Sequence, residues 1–90
     1  MILTRSLLIQ NKLGLHARAA TKLATLARDY EAEVMISHGD KSASAGSVMS
    51  LLLLQTCQGQ SVQVSAEGDD AAAALDAVEN LINNFFDEGE

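Results

Sequence analysis

The sequence predicts an α+β fold, a four-stranded antiparallel sheet covered on one face by three helices. Three observations carry that expectation. Strand-like and helix-like segments follow one another in the order βαββαβα. The chain has 90 residues, which suits a single domain spanning 1–90 with one economical core. Apolar residues supply 48% of it and aromatics only 3%, so that core is built from Ala, Leu and Val. Four short strands and three helices pack naturally as two layers. Patterning alone does not choose between a ferredoxin-like strand order and others. No repeat, linker or low-complexity segment divides the chain.

Leu3 to Gln10 is strand-like, although it does not alternate cleanly. Gly14 lets the chain turn sharply, and a first helix is expected from about His16 to Asp29, rich in Ala, Leu, Lys and Arg. Leu23, Leu26, Ala27 and Tyr30 fall on one stripe of it. Glu33 to Ser37 reads as a strand, His38-Gly39-Asp40 as a turn, and Lys41 to Ala45 as a short strand pairing back. Ser47 is placed to cap a short second helix from Val48 to about Gln55. After a break at Gly59, Ser61 to Glu67 alternates more clearly than any other segment. Asp69 or Asp70 then caps a third helix with the stripe Ala71, Leu75, Val78, Ile82 and Phe85.

Charge is unevenly spread. Residues 1–30 hold Arg5, Lys12, Arg18, Lys22 and Arg28 against Asp29, a net of +4, while residues 31–90 hold Lys41 against eleven acids, a net of −10. A net charge of −6 with few aromatics argues against nucleic acid, which needs a basic footprint and stacking platforms. The apolar run Val48 to Leu54 is far too short to span a membrane, and the N-terminus has no secretion-signal pattern. Cys57 is the single cysteine, which fits a reducing compartment and is expected to be a small buried hydrophobe. A cytoplasmic location follows as an expectation. His16 and His38 have no Cys or acidic neighbours at ligand spacing, so neither a metal nor another cofactor is expected. Arg5 and Arg28 read as ordinary solvated charge, and His38 as a turn residue without function.

His16 stands where a strand gives way to a helix. The first backbone N–H groups of a helix lack intrahelical partners, and its dipole places partial positive charge there. An anion at His16 would meet those amides, Ala17 among them, with the guanidinium of Arg18 two residues on. Arg18 and Lys22 are four apart and share a helix face, so together they can hold a phosphate and steer an acidic partner. On the second helix, Val48, Met49 and Leu52 gather on one side, Leu51 and Leu54 on another, with Leu53 between. A short helix on a small sheet does not easily bury both sides, so one apolar face is a candidate partner surface.

Gly14-Leu15-His16-Ala17-Arg18-Ala19-Ala20 resembles the phosphorylation-site motif of the HPr family, the histidine phosphocarriers of the bacterial phosphoenolpyruvate-dependent phosphotransferase system. Chain length, element order, Gly46 to Leu52 and the run Leu81 to Glu88 fit the same family. That run, with Asn11-Lys12-Leu13-Gly14, is most similar to the nitrogen-related NPr branch of proteobacteria. The resemblance implies an HPr-like open-faced β-sandwich with strand order 1-4-2-3. It implies a carrier, not an enzyme, that takes a phosphoryl group on Nδ1 of His16 from a histidine of enzyme I and passes it to a histidine of an enzyme IIA. The helix amides and Arg18 would stabilise the phosphoryl oxygens, and Val48, Met49 and Leu52 would dock the two partners. A monomer is expected. Ala19 stands where the family usually has Pro, which leaves the first turn less pre-set. Ser47 matches a serine that a dedicated kinase phosphorylates in some members, although capping alone explains a serine there.

Three other functions compete. One is the sugar-transport branch of the same family. Another is a small acyl or phosphoryl hydrolase with His16 as base, which would need a second acid–base group such as Asn11 or Lys12. The third is a non-catalytic interaction module.

Overall fold

The computed structural model of the chain describes residues 2–87. Its elements are β1 (Ile2–Leu8), α1 (Ala17–Arg28), β2 (Glu33–His38), β3 (Lys41–Ser44), α2 (Val48–Leu53), β4 (Ser61–Glu67) and α3 (Ala71–Asn83), followed by a short terminal turn over Phe85–Asp87. The sheet order is β1-β4-β2-β3 with every neighbouring pair antiparallel, the order the family resemblance implies. Period two decides which face is buried. Val62, Val64 and Ala66 of β4 point to the helices with Val34 and Ile36 of β2, while Ser61, Gln63 and Glu67 are exposed.

The imperfect alternation of β1 now has a cause. Its inner-row residues Leu3, Arg5 and Leu7 pair with Ala66, Val64 and Val62. Arg5 thus lies on the helix side at the sheet edge, where its guanidinium reaches Asp76 at 2.6 Å and Glu79 at 2.8 Å on α3. Hydrogen bonds to Asp76 and then Glu79 raise its already high pKa. Arg28 likewise has a specific contact, since Nε and a terminal nitrogen donate to the Gly46 carbonyl at 3.0 and 2.7 Å. Neither arginine is the merely solvated charge expected. Arg28 ties the end of α1 to the residue preceding Ser47.

Alanines dominate the buried helix surfaces, with Ala19, Ala20, Ala24 and Ala27 on α1 and Ala71 and Ala74 on α3. Small side chains let these helices lie close to the sheet, and Leu23, Leu75, Val78 and Ile82 fill what remains. Asp70 occupies the N-cap position of α3 without capping it. Its two carboxylate oxygens instead accept from the backbone N–H groups of Glu31 and Ala32 at 2.9 and 2.7 Å, closing the loop between α1 and β2.

Four other expectations need correction. His38 ends β2 and pairs with Lys41, so the turn is tighter than three residues. Helix α2 stops at Leu53 because the chain reverses at Gln55, which has φ +53°. That reversal buries Thr56 and leaves Cys57 exposed, opposite to the expectation for a lone cysteine. At the other end, Phe86 and not Phe85 is fully buried. Helix α3 ends before the stripe reaches Phe85, and Phe85, Phe86 and Asp87 all adopt left-handed φ of 52–63°. Each such residue costs about 1–2 kcal/mol. Burial of Phe86 and the bond from Lys22 Nζ to its carbonyl, 2.8 Å, offset that strain.

Candidate phosphate-binding site at the start of the first helix

His16 is the N-cap of α1, in an extended conformation with φ −87° and ψ −178°. Its carbonyl accepts the first helical bond, from Ala20 N–H at 2.8 Å. Its Nδ1 accepts the backbone N–H of Arg18 at 3.3 Å. That contact selects a tautomer. A nitrogen that accepts carries the lone pair, so the proton of the neutral ring sits on Nε2. The bond is long for an N–H donor, so the ring can leave it at little cost. His16 is half-buried, Ala17 and Arg18 are exposed, and no acid lies in the first turn to neutralise the helix dipole. A half-exposed imidazole therefore sits at the positive end of a twelve-residue helix, with the exposed residue Arg18 two positions on.

The loop leading to His16 is rigid. Gly14 has φ +66°, and a Cβ there would lie 2.5 Å from the Thr56 carbonyl oxygen and 2.9 Å from Cys57 Cα. Only glycine fits without moving backbone. Leu15 N–H donates to the Thr56 carbonyl at 3.1 Å, and Leu15 itself is buried. Asn11 is fully buried and donates from Nδ2 to the Gly14 carbonyl at 2.7 Å. It is thus committed to the loop and does not stand beside His16 as an acid–base group, so the hydrolase loses one of its two candidates. Sequence reasoning considered Asn11 only as an acid–base group and missed both its role in holding the loop and the part of the Thr56 backbone. An Asn three residues before a turn glycine was the available signal.

On α2, Leu51 and Leu54 are core residues, while Val48 and Leu52 are half-buried against it. Met49 and Leu53 point outward, 71% and 70% exposed, so Leu53 belongs with Met49 and is not intermediate. Leu13, beside the His16 loop, is also 70% exposed. Ser47 caps α2 as expected, its Oγ accepting from Ser50 N–H at 3.3 Å. Lys22 is partly buried and its ammonium is engaged by the Phe86 carbonyl, which the steering role expected from spacing did not foresee. Among the described residues no group of His, Cys, Asp and Glu is arranged to hold a metal ion, and no helix is long and apolar enough to cross a membrane.

Residues 3–84 match the family model described as the PTS HPr component phosphorylation site. The chain belongs to the HPr family. It is 54% identical over 86 residues to phosphocarrier protein NPr of Shewanella violacea, covering 96% of this chain and 94% of that protein. It is 38% identical over 89 residues to phosphocarrier protein HPr of Neisseria meningitidis serogroup A, covering 99% and 100%. A crystal structure of HPr from Thermoanaerobacter tengcongensis superposes with a TM-score of 0.92 at 35% identity, over 96% of this chain and 97% of that one. This HPr-family chain is accordingly a phosphocarrier of the phosphotransferase system and not an enzyme, and its likeness extends to proteins named NPr.

Proposed function

We propose that this chain, as one HPr-like unit, carries a phosphoryl group on Nδ1 of His16 between two proteins of the nitrogen-related phosphotransferase system. The donor is a phosphohistidine of an enzyme I charged by phosphoenolpyruvate, and the acceptor is a histidine of an enzyme IIA. The observation that carries this reading is the bond from Arg18 N–H to His16 Nδ1, which leaves the lone pair on the nitrogen nearest the helix amides. In the transfer, that lone pair forms a bond to phosphorus while the donor's P–N bond breaks and its electron pair returns to the donor imidazole. The Arg18 N–H exchanges its acceptor from Nδ1 to a phosphoryl oxygen, and the Arg18 guanidinium takes another. Reversal of the same step onto the acceptor discharges the protein. Little is asked of the chain beyond in-line positioning and charge stabilisation.

Exposed Met49, with half-buried Val48 and Leu52, supplies the apolar surface that both partners cover in turn. The NPr identity of 54% supports the nitrogen-related branch over the sugar-transport one. The protein acts in the cytoplasm, where phosphoenolpyruvate is available, as a monomer. Ser47 is read as a cap and not as a regulatory phosphorylation site, since its hydroxyl is engaged with Ser50.

Incubation with enzyme I, Mg²⁺ and phosphoenolpyruvate tests the reading by intact mass. One acid-labile phosphoryl group is expected, lost in His16→Ala and retained in His38→Ala. Label that persists in His16→Ala overturns the site.

A further inference from the structure

Two polar side chains are buried among the described residues, Asn11 and Thr56, and both lie in the short network behind His16. The other buried side chains among the described residues are apolar, so buried polarity is concentrated at this one loop. The Gly14 carbonyl is the hub of that network. It accepts Nδ2 of Asn11 at 2.7 Å and the His16 N–H at 3.0 Å, while Gly14 N–H returns to the Asn11 carbonyl at 3.2 Å. The His16-to-Gly14 bond spans only two residues, a tight turn whose carbonyl takes a second bond as support. Asn11 supplies the support, from a position that is fully buried and so inaccessible to any partner. Its Oδ1 and the Thr56 Oγ1 have no partner among the described residues. Stability alone does not favour burying unsatisfied polar atoms.

Resting on the carrier reading above, we infer that Asn11 is a positioning residue for phosphotransfer. Its side-chain amide fixes the Gly14 carbonyl, and through it the backbone of His16, so that Nδ1 meets the Arg18 N–H. The chemistry needs this because transfer between two imidazoles depends on in-line placement, where a misplacement of about 1 Å costs on the order of a hundredfold in rate.

Three variants separate positioning from mere packing. Asn11→Asp keeps the volume and removes the donor at a pH high enough to ionise it, Asn11→Ala removes the donor without burying a carboxylate, and Asn11→Ser returns a hydroxyl donor. At saturating phosphorylated enzyme I, the Asp and Ala variants are expected to transfer about tenfold more slowly, with KM unchanged and part of the rate recovered in Asn11→Ser. Nitrogen-15 NMR of the unphosphorylated proteins should show the Nε2–H tautomer of His16 dominant in the parent and mixed in the Asp and Ala variants. Folded variants with the parent's saturating rate and tautomer balance would overturn the inference, whatever their melting temperatures. The parent protein gives an independent reading should the variants not fold. Its Asn11 amide protons should resist solvent exchange and shift when His16 titrates, and an amide that exchanges freely or ignores His16 overturns the assignment. If the parent accepts no phosphoryl group, the carrier reading falls while the tautomer comparison still decides the role of Asn11.

Discussion

Gly14→Ala places a methyl group where the loop behind His16 has no room. The residue has φ +66°, a region that costs an L-residue about 1–2 kcal/mol. The new Cβ would also sit 2.5 Å from the Thr56 carbonyl oxygen and 2.9 Å from Cys57 Cα, both backbone atoms. Relieving such overpacking costs typically about 1–3 kcal/mol, for a total of about 2–5 kcal/mol. At about 4–8 °C per kcal/mol for a domain of this size, melting should fall by roughly 10 °C or more. Gly59 provides the control. It too has positive φ, +89°, but a Cβ there meets nothing within 4 Å. Gly59→Ala should therefore show only the conformational cost, about 1–2 kcal/mol. Thermal unfolding followed by circular dichroism measures both. The Gly14 variant should also lose transfer rate below its melting point, because pushing Thr56 away stretches its bond to Leu15 N–H. Equal melting temperatures for the two variants would refute the steric argument.

Met49→Glu should leave melting within a few degrees, because the side chain is 71% exposed. It should raise the apparent KM for both partners by placing a charge in an apolar contact, and collapse of the fold would show that Met49 is core. Arg18→Lys keeps the charge and loses the planar fork, so rapid-quench transfer should be slowed about tenfold even at saturating partner and high salt, a loss equivalent to about 1.4 kcal/mol; a defect erased by salt would reduce Arg18 to surface charge. Lys22→Ala removes the donor to the Phe86 carbonyl and should cost about 1 kcal/mol of stability, with the saturating transfer rate unchanged. Unaltered melting combined with salt-sensitive slowing would return Lys22 to a steering role.

The sequence by itself determined the layer architecture and the place of His16 at the start of α1. Alternation in Ser61 to Glu67 and helical stripes in α1 and α3 are local patterns, and each local pattern states which face is buried. The helix start at His16 is equally local, since glycine, N-cap and amide donors are all within a few residues. Tertiary structure alone decided what depends on meetings across the chain. Asp70 abandoned its own helix for Glu31 and Ala32, Arg5 paired with two acids on α3, and Lys22 turned to a carbonyl 64 residues away. Periodicity assigned Phe85 to the core, but the left-handed terminal turn delivered Phe86, because the end of a helix is set by what the following residues can bury. Cys57 came out exposed because Gly14 packs against the backbone of Thr56 and Cys57, leaving the thiol outside. Asn11 shows the same limit at the site itself. Its residue type was plain in the sequence, but burial and the Gly14 carbonyl 2.7 Å away gave it a task, and both arise only when the loop closes on the segment after α2.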